Sequence, residues 1–351
     1  MHAPASAAAP APRRGGRAGV VEALARSLAQ GRAPVLAVVL ETLGSTYARI
    51  GDFALFGAGD GPGAQAGWLS GGCLEPDIAR HAARAAADGR VEWIEVDARD
   101  DEDVFSGGAT GCRGRLRVAL LPVARMPGWD ALCAAWLAGA GPLRLTVDAA
   151  AARVSVWAGA QAHDWALAMP ALPWARAGAS RWTLPVPAQP AVRIHGAGPE
   201  TPWLVPMLQA TGWHVTVVED RSRWLEVARA ADALVEGPPS AGPRQARPAP
   251  VALVMHHNFE RDREALEVLA ADPAARFIGL LGPARRRDDL LRTLPARIVA
   301  RLHGRLQAPV GLLATRGAEA ISLSIALQLQ AFLDAERAAA AAGAHAASAP
   351  A

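Results

Sequence analysis

Lysine is absent from the 351 residues, so all 36 basic side chains are arginine. A Walker-type phosphate loop, a Schiff-base enzyme and a pyridoxal-phosphate enzyme each need a lysine amine, and all three are excluded. Cysteine is scarce: three residues, none spaced as C-x-x-C, do not make a disulfide framework, which predicts reduced thiols. No apolar run approaches the roughly 18 residues of a membrane span, so no span is expected. Met1 to Gly19 is an Ala/Pro tail with arginines and lacks a secretion-type hydrophobic core. Cytoplasmic residence follows as the expectation. A formal net charge of +3 is too small to argue for nucleic acid, and none is expected as a partner.

Half of the composition is apolar, enough for two ordinary domains. Apolar residues at three- and four-residue intervals in "AGVVEALARSLAQG" predict an amphipathic helix closed by Gly31. The β-branched run Val35 to Leu40 and the stretch Phe53 to Phe56 predict strands, and "AQAGWLSGGCL" a third short one. A helix follows, opened near Pro76, where a missing N–H costs nothing, and capped by Gly89. "VEWIEVDA" alternates as a half-buried strand does; "RDDEDVF" reads as an acidic loop and "GGATGCRG" as a glycine loop entering a further strand. Beyond Pro127 the pattern gives a helix over Trp129 to Leu137 and strands near Leu143 to Val147 and Ala152 to Trp157. A Pro/Trp-rich passage then reads as irregular, with a domain boundary at "LPVPAQP", Leu184 to Pro190.

The second half alternates strand and helix. "AVRIHGAGPETPWLVPMLQATGWHVTVVEDR" has the size of a βαβ unit, and strand-like Val251 to Met255 and Phe277 to Leu281 are each followed by a helical pattern. A last helix, about Glu319 to Asp334, fades into an Ala-rich tail. The fold expected is α/β: a small N-terminal α+β domain over 19–150, an irregular connection over 151–190 and a Rossmann-like doubly wound parallel sheet over 191–335. The tails, 1–18 and 336–351, are expected to be disordered.

Chemistry concentrates in five places. "GAGPET" puts Gly196, Gly198, Pro199 and Glu200 where a dinucleotide fingerprint would sit, with Thr201 in place of the third glycine. Glu219, with Asp220, falls where a carboxylate would take ribose hydroxyls. "VMHHNFERD" ends a strand in two histidines that point to opposite faces, His257 being the one favoured for the crevice. Gly282, Arg285 and Arg286 open a helix as a candidate anion site. Cys73 and Cys112 lie in glycine loops, which suit a soft contact to copper, molybdenum or a sulfur-containing cofactor better than closed zinc; Cys133, by contrast, reads as packing.

Together "LAVVLETLGSTYARIG", "GWLSGGCLEPDIARHA", "TGCRGRLRVALL", "GAGPETPWLVPMLQATGWHVTVVEDR", "MHHNFERDREALEVL", "RFIGLLGPARRRDDLL" and "APVGLL" resemble, in order, the XdhC/CoxI family of accessory proteins for molybdenum hydroxylases. The likeness runs from about Val21 to Leu333 and omits Pro127 to Leu184. It departs at Arg113, usually glycine, at Asn258 and Phe259, and in "GLLATRGAEAIS", which lacks the acidic residue and the glycine that in the family normally follow the pair matching Gly311-Leu312.

The resemblance implies a maturation factor: it binds molybdenum cofactor (molybdopterin), assists its sulfuration with a cysteine desulfurase, and inserts it into an apo molybdenum hydroxylase of the xanthine dehydrogenase type. Cys73 and Cys112 match the family's two cysteine positions, and Gly196, Gly198 and Pro199 its Rossmann turn. On this reading the cysteines serve the metal or its sulfur, and the loops at Gly196 to Glu200 and Gly282 to Arg286 the phosphate. A homodimer is expected. Two other readings stay open: an NAD(P)-dependent oxidoreductase, and a scaffold docking a desulfurase to an apo-hydroxylase.

Overall fold

The computed structural model describes residues 14–59, 64–97, 114–174 and 179–348. The chain divides into two compact units, one ending at Gln189 and the other beginning at Pro190.

The first unit runs α1 (Gly16–Ala29), β1 (Val35–Gly44), β2 (Phe53–Phe56), β3 (Gln65–Ala66), α2 (Glu75–Asp88), β4 (Glu92–Asp97), β5 (Gly114–Pro122), α3 (Trp129–Leu137), β6 (Leu143–Asp148), β7 (Arg153–Ala158), β8 (Gln161–Ala166) and β9 (Arg181–Val186). Its strands make two antiparallel sheets, in the orders β3-β2-β1-β5-β4 and β8-β7-β6-β9. The apolar run of β1 is buried on both faces because successive side chains alternate. Leu36, Val38 and Leu40 join a core with Val20 and Leu24 of α1, while Val35, Ala37 and Val39 join one with Ile78, Ala82 and Ala85 of α2. Gly89 caps α2 in the left-handed conformation at φ 62°.

The irregular connection expected over 151–190 is corrected: β7, β8 and β9 form a sheet with β6. Proline hides the last of these strands. Pro185 lies in β9 at the sheet's edge, where a missing N–H is tolerated, while Trp182, Leu184 and Val186 point inward with period two. Trp165, Trp174 and Trp182 of this passage are core residues. Trp174 and Trp182 pack on Trp93 at 6.0 and 6.2 Å between ring centroids, and Arg117 stacks 4.8 Å over Trp174 while bonded to Glu41 and Glu95.

The second unit runs β10 (Ala191–His195), α4 (Thr201–Ala210), β11 (His214–Glu219), α5 (Ser222–Ala228), β12 (Ala233–Glu236), α6 (Gly242–Gln245), β13 (Val251–Val254), α7 (Phe259–Ala271), β14 (Phe277–Leu280), α8 (Ala284–Thr293), α9 (Ala296–Leu302), β15 (Leu306–Gln307) and α10 (Ala318–Ser348). Its strands form one parallel sheet, β12-β11-β10-β13-β14-β15, so the architecture is Rossmann-like. One face packs Ile194, Val217 and Leu253 against Leu204 of α4 and Ile325 and Leu329 of α10; the other packs Val254 and Ile278 against Leu266 and Leu269 of α7. The C-terminal tail expected to be disordered from 336 continues α10 to Ser348, as its alanines favour. Among the described residues no helix is long and apolar enough to cross a membrane.

Candidate functional site

Two places gather the residues that carry chemistry, one in each unit. In the first, the segment between β3 and α2 is organised by a single carboxylate. Glu75, buried at 4% exposure, accepts from the amides of Leu69 (2.9 Å), Ser70 (2.9 Å) and Gly72 (2.8 Å) and from the Ser70 hydroxyl. The same hydroxyl accepts from the Leu74 amide at 2.8 Å. Burial pushes the Glu75 carboxyl up, but the hydrogen bonds from Ser70 and from the Leu69 and Ser70 amides outweigh it and hold the carboxyl below its ordinary value. Gly71 and Gly72 supply the positive φ of 73° and 115° that lets three amides turn inward.

The loop leaves its thiol outside. Cys73 is exposed, and its Sγ donates only to the Ser70 carbonyl at 3.3 Å. Aromatic rings lie beside the two glycines that precede it: a Cβ on Gly71 would fall 3.4 Å from the Tyr47 ring and one on Gly72 3.9 Å from that of Trp68, and these residues are 60% and 55% exposed. Cys112, Arg113 and the acidic loop lie outside the described residues; β5 begins at Gly114, paired with Gly44. Cys133 is a packing residue, buried among Trp129, Leu132 and Trp136, and burial together with the nearby Asp130 pushes its thiol up to about 12.

In the second unit the strand order reverses between β10 and β13, the place where doubly wound sheets hold ligands. The fingerprint loop after β10 is built there, yet its glycine donors are already taken. The Gly196 amide bonds Val218 O (3.0 Å), Ala197 bonds Glu219 Oε2 (2.7 Å) and Gly198 bonds Thr201 Oγ1 (2.9 Å). Thr201 and Trp203 bond the Gly198 and Glu200 carbonyls at 3.1 Å, and Pro199 and Pro202 have no N–H. Apart from that of Glu200, the amides from Gly196 to Trp203 are engaged within the chain and not offered to a pyrophosphate. The approach over Gly198 is occupied as well, because a Cβ there would lie 3.2 Å from Glu200 Oε2 and 3.2 Å from His257 Nε2. A carboxylate stands where a diphosphate would.

Glu219 is likewise engaged. It is buried, and besides Ala197 it accepts from the Asp220 and Arg221 amides (3.0 and 2.8 Å) and from Arg221 Nε and Nη2 (2.9 and 2.6 Å). Burial raises its carboxyl, but the Arg221 guanidinium and these amides bring it down to about 2. Arg221 also donates to the carbonyls of His256 (2.7 Å) and Ala197 (2.8 Å), stapling the loops after β10 and β13 together. The Glu219 carboxylate, expected to take a ribose, and the Gly196 and Gly198 amides, expected to take a phosphate, are thus engaged by donors and acceptors that the chain supplies to itself.

The two histidines part, but not by strand alternation: both lie beyond the end of β13 at Val254, and His257 takes a left-handed backbone. His256 is buried on Asp262, its Nδ1 3.2 Å from Oδ1, whereas the His257 side chain is 48% exposed, held at φ 55°, with Nε2 3.2 Å from Glu200 Oε2. Burial raises the Glu200 carboxyl and His257 lowers it, with a net lowering. At the third loop Arg286 is bonded to buried Asp262 at 2.6 Å and Arg287 to the Ala308 carbonyl at 3.0 Å. Arg285, 93% exposed, points away into solvent. The guanidinium expected to meet an anion beside Gly282 is therefore already neutralised in the case of Arg286.

Sequence reasoning missed Glu75, Arg221 and the part Thr201 plays. Only Thr201 had left a mark, as the irregular residue in the glycine pattern. Among the described residues no cluster of three His, Cys, Asp or Glu side chains could hold a metal ion.

An α+β unit presenting an exposed cysteine, followed by a Rossmann-like unit with a self-capped glycine loop, defines the class. Residues 192–329 match the XdhC Rossmann domain and residues 27–97 the XdhC and CoxI family. The chain belongs to the XdhC and CoxI family, and this membership supports an accessory role for xanthine dehydrogenase. A relative from Bacillus subtilis (strain 168), described as a probable xanthine dehydrogenase subunit, is 24% identical over 317 residues, covering 84% of this chain and 92% of that one. A crystal structure described as a xanthine dehydrogenase from Bacillus halodurans is similar with a TM-score of 0.73 and 25% identity, covering 90% of this chain and 96% of that one.

The capped loop has a direct consequence for nucleotides. Titration of the protein with NADH or NADPH, followed by nicotinamide fluorescence, is expected to give no saturable signal; a saturable micromolar isotherm would contradict the amide assignments.

Proposed function

We propose that the chain is an accessory protein that receives molybdenum cofactor, assists its sulfuration and delivers it to an apo molybdenum hydroxylase of the xanthine dehydrogenase type. The observation that carries this reading is Cys73: an exposed thiol on a loop whose amides are gathered by a buried carboxylate and whose glycines lie beside aromatic rings. A soft thiol suits contact with a molybdenum–sulfur centre, so the first unit fits the group at its metal end. At the phosphate end, the Gly196 loop does not fit a dinucleotide form, because the Gly196, Ala197 and Gly198 amides are already bonded within the chain. When bound, the cofactor would supply a metal centre able to exchange an oxo for a sulfido ligand.

The part left to the protein is binding and sulfur handling. Cys73 as thiolate can attack the terminal sulfur of a persulfide on a cysteine desulfurase, forming a new S–S bond on Cys73 and releasing the desulfurase cysteine as thiolate; no external oxidant is needed. The exposed rings of Tyr47 and Trp68 beside the loop suit a partner that covers the thiol during transfer, as interfaces favour aromatic residues. The family's second cysteine position, Cys112, belongs to the same proposal.

The reading is tested by adding the purified, cofactor-loaded protein to apo-xanthine dehydrogenase and following hydroxylase activity. Activation is expected from the natural chain and a loss of roughly tenfold or more from Cys73→Ser. Equal activation by the variant would remove Cys73 from the mechanism.

A further inference from the structure

Helix α10 leaves one of its sides open. Ile325 and Leu329 enter the core beside Leu204 of α4, and Ser322 donates to the Glu200 carbonyl at 3.1 Å. Leu323 and Leu327, one turn apart on the side away from that core, are 57% and 48% exposed. The chain before the helix widens this surface, because the Leu313 amide bonds Ser324 Oγ at 2.8 Å and so lays exposed Leu312 and Leu313 along α10. Single exposed leucines are ordinary, but four gathered on one helix mark an interface.

The face is matched to a second copy of itself. From Ala320 to Leu333, over about 20 Å, α10 carries no charge, so a charged partner surface would be desolvated against it without a counter-ion. Charges stand at its two ends: exposed Arg316 and Glu319 before the run, exposed Asp334 after it. At about 100° per residue Leu323, Leu327 and Asp334 share the midline of the face, with Ala320 and Ala331 on one flank and Glu319 and Gln330 on the other. A two-fold axis crossing between Leu323 and Leu327 runs two copies antiparallel. It sets Leu323 of one protomer on Leu327 of the other, Ala331 on Ala320, Gln330 on Glu319 and Asp334 beside Arg316, and an interface so related closes on itself. Parallel pairing would instead place Asp334 on Asp334 and Arg316 on Arg316, which like-charge repulsion disfavours. Arg316 has no ion partner among the described residues, and that of Asp334 is Arg337 at a long 3.8 Å.

We propose that the open face of α10 is the surface on which a second copy of this chain docks antiparallel. The pairing uses no residue assigned above to the cofactor or to sulfur. Analytical ultracentrifugation of the full chain, from about 0.1 to 100 µM, reads the association. A reversible dimer is expected, and Leu323→Glu combined with Leu327→Glu keeps the chain monomeric throughout. Asp334→Arg and Arg316→Asp each weaken the dimer roughly tenfold, since each reversal acts twice across the two-fold, and the two combined restore it to within about threefold. Far-UV circular dichroism checks that each variant is folded. A natural chain that stays monomeric over the whole range, whether or not its leucines serve another protein, overturns the proposal. So does a dimer that survives the two glutamates, single reversals without effect, or a combined reversal no tighter than either alone.

Discussion

Replacing Glu75 with Ala is expected to lower the unfolding free energy by about 3–5 kcal/mol, one of the two largest effects any single substitution near a candidate site should have. The carboxylate accepts from three amides and a hydroxyl, and the Leu69 amide is fully buried. Removing it leaves those donors facing an apolar methyl, so the loop must open to rehydrate them. Urea denaturation gives the magnitude. Faster reaction of Cys73 with a thiol reagent, in the native baseline, reports the loosening of the loop itself. A change under about 1 kcal/mol with unaltered thiol kinetics would mean that the glycines alone hold the loop.

Glu219→Ala is expected to cost about as much, about 3–5 kcal/mol, because it strands the Arg221 guanidinium and orphans the buried Ala197 amide. The loops after β10 and β13 would then lose the acid that positions their common staple. Acid titration adds a signed test. The Glu219 carboxyl is held at about 2 against an ordinary 4.5, so the unfolded chain binds more protons than the folded one between those values. Its contribution is therefore present above pH 4.5 and lost as pH falls toward about 2. Glu75, also lowered, acts in the same direction. Glu219→Gln should flatten the dependence of stability on pH in that window; an unchanged slope would deny the Arg221 pairing.

The strands and helices with strong local patterns are legible in the sequence. The β1 run, the Pro76 to Gly89 helix and the βαβ unit at Gly196 all stand where periodicity placed them. Strands β8 and β9 were hidden because Pro185 and a tryptophan-rich composition look like loop, whereas the alternating burial that makes β9 a strand needs the pairing with β6 to be seen. At the crevice, two glycines announced the turn but not the fate of its amides. That fate depends on Glu219, 22 residues away, and on Thr201, whose hydroxyl takes the Gly198 amide. The residue that broke the motif turns out to be the residue that fills it. Glu75 left no mark, since a glutamate in a helix's first turn is ordinary until the loop folds back onto it.

The central proposal is that the first unit offers Cys73 to a molybdenum cofactor, while the glycine amides of the second are bonded within the chain and not offered to a dinucleotide. It is tested most directly by purifying the protein and its Cys73→Ser variant under anaerobic conditions and measuring bound molybdenum and oxidised-pterin fluorescence per chain. The account predicts both in the natural protein, at least roughly tenfold less in the variant with its circular dichroism unchanged, and no bound NAD(P) in either. Equal cofactor content in the two proteins, or NAD(P) without pterin, would contradict it.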